Sequence, residues 1–156
     1  MKLVRYDLKT SSLLMAVEKG DVIAVASCLA GGSPVNTLDL DGNTPLLRAA
    51  FLGQVPVLSL LLEQGADIAH ANDIGYTALH FAAQEGRLDV ARALLAASAP
   101  VDAQDQHGNT PLFRAVYAEH AELVACLLAA GANPDQRNHH DVSPRELAAN
   151  LGFECF

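Results

Sequence analysis

The stretch DGNTPLLRAA, Asp41 to Ala50, returns as DIGYTALHFAA from Asp73 to Ala83 and again as QHGNTPLFRA from Gln106 to Ala115. Gly42, Gly75 and Gly108 fall 33 residues apart, and Thr44, Thr77, Thr110 and Ser143 keep the same step. So do Ala16, Ala49, Ala82, Ala115 and Ala148. Gly20, Gly53 and Gly86 follow it, Glu119 interrupts it and Gly152 resumes it. Several registers agreeing on one period in this range mark a repeat architecture, in which each unit buries its apolar face only against its neighbours.

Each unit has a physical reading. Thr44–Pro45, Thr110–Pro111 and Ser143–Pro144 place a hydroxyl before a proline. The hydroxyl caps a helix start, and proline at the first helical position gives up an N–H that would be unpaired anyway. Thr77 keeps the cap with Ala78 in place of proline. A short Ala-rich helix follows, and Gly53 or Gly86 then ends it in the left-handed conformation that glycine adopts without penalty. A second, Leu-rich helix comes next, with the pairs Leu61–Leu62, Leu94–Leu95 and Leu127–Leu128 at the same step. A stretch rich in Gly and Asx, such as GADIAHANDIG, turns the chain into the next unit.

The bulk numbers agree with a helical stack. The 156 residues are 51% hydrophobic and 18% charged, with no Trp and much Ala and Leu, which favours helix and argues against disorder. The formal net charge of −8 does not supply the cationic field that binding nucleic-acid phosphate requires. It suits a basic protein partner, or simply keeps the chain soluble. Cys28, Cys126 and Cys155 are too few and too widely spaced for a disulfide framework, so a reducing compartment is expected. The first residues lack the apolar run of a secretory signal, and no stretch offers the roughly 18–20 apolar residues that span a bilayer. The expectation is a soluble, cytoplasmic protein with no membrane partner.

GYTALHFAAQEG and LLEQGAD resemble the ankyrin repeat closely, and the resemblance runs from about Ser11 onward. It implies an all-α solenoid of helix–turn–helix units with β-hairpin or turn fingers, forming one domain over residues 1–156. The units are expected at about 8–38, 39–71, 72–104, 105–137 and 138–156, about five counting degenerate ends. The last keeps only its first helix, SPRELAANLG. The family's Thr–His hydrogen bond is retained at Thr77 and His80, while Leu47 and Phe113 replace the histidine in the flanking units.

The resemblance also implies a function: a non-catalytic module that binds another protein on the concave face formed by the fingers and first helices. The residues it places there are Asp41, Asn43, Arg48, Phe51, Leu52, Asp73, Ile74, Tyr76, Gln84, Glu85, His107, Asn109, Arg114 and Tyr117. Phe51, Leu52, Ile74, Tyr76 and Tyr117 are read as an exposed apolar cluster, the mark of an interface with aromatic hot spots; the alternative is that Phe51 or Leu52 packs on a neighbouring finger. Eight acids fall on the same side, namely Asp7, Glu18, Asp39, Asp41, Asp73, Glu85, Asp105 and Asp141, against Lys9 and Lys19, with Arg48 and Arg114 nearby. A basic partner surface is therefore expected. The Ala/Leu-rich, Lys-poor composition has a bacterial flavour, and a small acidic ankyrin protein of that kind resembles immunity proteins that neutralise a toxin by tight one-to-one binding. A generic adaptor is the other reading. A monomer or weak homodimer is expected.

Enzymatic chemistry finds little support. There is no phosphate-binding Gly-rich loop before a Lys, no G-x-S-x-G and no H-E-x-x-H. NHHD, Asn138 to Asp141, raises a metal reading, since His107 and His140 occupy equivalent finger tips. Packed helices lie roughly 8–10 Å apart, whereas zinc needs nitrogens about 2 Å away, so exposed loop histidines are expected and no cofactor or metal. Cys28 and Cys126 are read as core thiols and Cys155 as an exposed one.

Overall fold

The computed structural model describes residues 8–156, with side chains from residue 12 onward. Nine α-helices and no strands are found among the described residues: α1 (Leu8–Glu18), α2 (Val22–Ala30), α3 (Pro45–Leu52), α4 (Val55–Glu63), α5 (Ala78–Gln84), α6 (Leu88–Ala96), α7 (Pro111–Tyr117), α8 (Ala121–Ala129) and α9 (Pro144–Leu151). Helices α1, α3, α5, α7 and α9 stack on one another as an inner layer, and α2, α4, α6 and α8 stack as an outer one. Units are counted here by their helix pairs, from α1/α2 to α7/α8, with α9 opening the fifth. The fold is an all-α repeat solenoid.

Inner helices begin as their sequences dictate. The hydroxyls of Thr44, Thr77, Thr110 and Ser143 accept the backbone N–H groups of Leu47, His80, Phe113 and Glu146. Each satisfies one of the otherwise unpaired donors of a helix start. At Thr77 the cap is doubled, because His80 Nδ1 accepts the Thr77 N–H at 3.2 Å. The other ring nitrogen, Nε2, lies 3.0 Å from the carbonyl oxygen of Asn109. A carbonyl only accepts, so Nε2 carries the proton and Nδ1 is the acceptor. One buried imidazole thus ties the third unit to the fourth.

The core runs between the two layers. Leu46, Leu79 and Leu112 of the inner helices meet Leu61, Leu94 and Leu127 of the outer ones, all fully buried. Ala49, Ala50, Ala82, Ala83 and Ala115 let the inner helices approach closely. Only the first leucine of each pair is buried; Leu62, Leu95 and Leu128 are half-buried on its flank. The three cysteines are free and half-buried. Cys28 and Cys155 pack against the core, so Cys155 is not the exposed thiol that the sequence suggested. Burial pushes its pKa up.

The fingers between units are turns, each tied to the next by one backbone bond. The N–H groups of Asp73, Gln106 and His139 donate to the carbonyls of Asp41, Ile74 and His107 at 3.2, 3.1 and 2.9 Å. This contact explains Gly75: its φ is +81°, and a Cβ there would lie 2.8 Å from Gln106 N and 2.9 Å from Asp105 Cα. Left-handed backbone recurs with the period even where glycine does not. Ser98, Glu119 and Asp141 take φ of 65°, 56° and 60° at positions where other units carry glycine. Each of these residues carries the Cβ strain that glycine avoids in this conformation.

Candidate protein-binding face

The inner-helix face is built on a recurring polar frame at the base of the fingers. In the second unit the Asp39 carboxylate accepts the N–H groups of Asp41 and Asn43 at 2.9 and 2.8 Å. It also accepts Arg48 Nε at 2.8 Å and pairs with the far end of the same guanidinium. The fourth unit repeats this with Asp105, which accepts from His107, Asn109 and Arg114. Asn72 and Asn138 then reach back from the third and fifth units, each donating from Nδ2 to Oδ1 of Asn43 or Asn109 at 2.8 Å. Burial raises the pKa of both aspartates, but the side-chain, backbone and arginine partners outweigh it and hold both below the ordinary carboxylate value.

This frame changes the expected charge of the face. Asp39 and Asp105 are the counterions of Arg48 and Arg114, so their charge on the face is offset. Glu18 lies 3.6 Å from Arg48, and Asp141 lies 3.4 Å from Arg137. Asp7 and the Lys9 side chain lie outside the described residues. Asp41, Asp73 and Glu85 are the expected acids without a cation in ion-pair reach among the described residues. Asn43 and Asn109 are buried members of the frame rather than finger tips open to a partner.

Tyr76 also departs from the expectation of an exposed hot spot: it is only 7% exposed. Its ring stacks on His80 at 5.4 Å and meets Phe81 edge-on at 5.2 Å. The Arg114 guanidinium covers it from α7, 4.9 Å from the ring centre. Its hydroxyl donates to Gln84 Oε1 at 2.9 Å. The reason is positional. Tyr76 occupies the register of Asn43 and Asn109, which points toward the start of the inner helix, so a large ring there lies along α5 under the next unit. Burial raises the pKa of its phenol.

Phe51 and Ile74 are exposed as expected, at 38% and 43%. With Leu47 and Phe81 they form the apolar floor of a hollow of about 350 Å³, whose remaining lining is Asp41, Asn43, Arg48, Asn72 and Asp73. Phe51 meets Phe81 edge-on at 5.7 Å. Of the fourteen sequence candidates, the hollow brings together Asp41, Asn43, Arg48, Phe51, Asp73 and Ile74. Leu52 is half-buried beside it. Gln84 holds Tyr76 and reaches Glu85 at 3.1 Å. Tyr117 stands exposed at the end of α7, and Arg114 and Asn109 are engaged as described. His107 is exposed, its ring stacked on that of His140 at 6.4 Å. No group of three metal-ligating side chains occurs among the described residues.

Phe81 was missed in the sequence reading although its signal was present. It stands 33 residues from both Arg48 and Arg114, in a register that reads Arg–Phe–Arg through the middle units. The third unit simply changes the chemistry carried at that place.

Family models match the chain as Ankyrin repeats (3 copies) over residues 69–138 and as Ankyrin repeat over residues 41–73. The chain belongs to the ankyrin-repeat family. No curated protein matches it. Ankyrin repeats are generally protein–protein interaction modules, and proteins built from them are typically non-catalytic scaffolds. No helix among the described residues is long and apolar enough to cross a membrane.

Proposed function

We propose that this chain is a non-catalytic module that holds a partner protein on its concave finger and inner-helix face, centred on the hollow between the second and third units. The observation that carries this reading is the uncovered apolar floor of Phe51, Ile74 and Phe81, set beside Asp41 and Asp73. Apolar surface rimmed by charge is the usual anatomy of a specific interface. The three acids without an ion-pair partner among the described residues, Asp41, Asp73 and Glu85, favour a basic partner and would speed its association.

The test is capture from a lysate of the source cell with the wild-type chain and two variants, followed by mass spectrometry. Phe51→Glu with Ile74→Glu alters two exposed side chains and leaves the core alone. Loss of a hot spot costs about 2 kcal/mol or more, enough to remove a partner at moderate salt. A control carrying Glu122→Lys and Ala125→Glu on the exposed outer face of α8 keeps the partner. Equal capture by all three chains would remove the inner face from consideration. A single basic partner bound one-to-one with very slow release marks an inhibitor of the immunity kind, whereas several weakly held partners mark an adaptor.

A further inference from the structure

The hollow is specific enough to define the chemistry of what enters it, given the inner-face reading proposed above. Its volume of about 350 Å³ is at the small end of ligand sites and suits one large side chain better than an extended ligand. Phe51 and Ile74 form exposed parts of its wall, and the half-buried Phe81 backs Phe51 edge-on. Leu47 and Asn43 are buried beneath, so the floor is fixed before anything binds and little ordering is needed on association.

The charges around it are unequal in availability. Arg48 lines the hollow, but the Nε and Nη2 edge of its guanidinium is held by Asp39 at 2.8 Å, and its Nη1 lies 3.6 Å from Glu18. An incoming anion would meet a guanidinium whose charge Asp39 and Glu18 already offset. Asp41 and Asp73 have no cation in ion-pair reach among the described residues, and both are exposed. The Asp73 N–H bond to the Asp41 carbonyl, at 3.2 Å, holds the two finger tips together. A purely apolar occupant would take water from two carboxylates and return nothing, which is unfavourable.

We infer that the hollow takes a large aliphatic or aromatic side chain from a partner segment that carries a lysine or arginine next to it. The apolar group seats on Phe51, Ile74 and Phe81, and the cation lies between Asp41 and Asp73. The outer charges screen with salt, while the apolar contact does not.

The probe is a library of random twelve-residue peptides displayed on phage and selected on the immobilised full chain. Selected peptides are expected to share an apolar anchor within two positions of Lys or Arg. A fluorescent copy of the consensus should bind at least roughly tenfold more weakly to Phe51→Ala or Ile74→Ala, as expected for an anchor residue. Asp41→Asn with Asp73→Asn should weaken it roughly three- to tenfold and flatten its salt dependence. Consensus peptides rich in Asp or Glu, or with no charge preference, overturn the inference, as does affinity indifferent to the Asp41/Asp73 change. A library that yields no binder above an uncoated surface overturns it too. In each of those cases the lysate capture decides the inner-face reading separately: a native partner still lost with Phe51→Glu and Ile74→Glu leaves that reading standing.

Discussion

The second and fourth units solve the base of the finger one way, and the third solves it another. Asp39, Asn43 and Arg48 recur 66 residues later as Asp105, Asn109 and Arg114, with the same bonds. Between them the same registers read Asn72, Tyr76 and Phe81. The flanking units hold their fingers with a carboxylate and a guanidinium. The third holds its finger with rings, a doubled cap at Thr77 and the neighbour's Arg114 laid over Tyr76. Replacing arginine with phenylalanine in one unit leaves an apolar surface in a row otherwise filled by paired charge. That local change of chemistry, on an unchanged backbone, makes the hollow beside Phe81.

The comparison can be broken most strongly at the buried ion pair. The Asp105 side chain is 0% exposed and its Arg114 partner 18%, against 9% and 35% for Asp39 and Arg48. Asp105→Ala strands a mostly buried guanidinium and should cost roughly 3–5 kcal/mol, whereas Asp39→Ala leaves a wetter arginine and should cost about 1–3 kcal/mol. Equal losses in urea unfolding would show that the two units are not graded by burial. Both aspartates have lowered pKa values, so their stabilisation is present above about pH 3.9, the unfolded value, and is lost as pH falls through the lower folded values.

Tyr76 comes next. Truncation to alanine should cost about 3 kcal/mol from the lost ring, and Tyr76→Phe about 1 kcal/mol from the bond to Gln84. An unchanged melting temperature for Tyr76→Ala would restore this residue to the open binding surface. Removal of the ring also uncovers Arg114, so the effect should not add simply to that of an Arg114 variant.

His80 sharpens the contrast in pH. Burial holds the folded imidazole below its ordinary value, although the Asn109 carbonyl and Asp105 oppose this. The unfolded chain takes up a proton near pH 6.5 that the folded chain refuses. Stability through this group therefore falls as pH drops from about 6.5 toward the folded value. His80→Leu, the residue at the equivalent Leu47, should cost about 1 kcal/mol at pH 7 and abolish that decline. Thermal melts of both chains between pH 7.5 and 5 check it; a slope that survives the substitution would assign it elsewhere. The smallest effect is a gain. Glu119→Gly relieves a left-handed residue at the end of α7 and should stabilise by about 1 kcal/mol, seen as a higher urea midpoint.

Period, helix starts and core were legible in the sequence because each depends on residue type at a fixed spacing. A hydroxyl before proline, alanine between helices and leucine pairs act within one unit or against an identical neighbour. Phe51, Ile74, Asp41 and Asp73 were legible as exposed for the same reason: their registers lie on the finger or at the outer end of the inner helix.

Tyr76, Asp39 and Asp105 were not. Their fate depends on a partner nine residues away or in the next unit, and the repeat pattern does not say whether that partner is an arginine or a ring. The sequence by itself determined that the chain stacks as an ankyrin solenoid, and which face carries its variation. Tertiary structure alone decided which of the variable residues are spent inside: acids neutralised by arginine, a tyrosine closed under a guanidinium, and a hollow left open. Burial and charge pairing belong to neighbouring units together, and a single-residue register cannot record them.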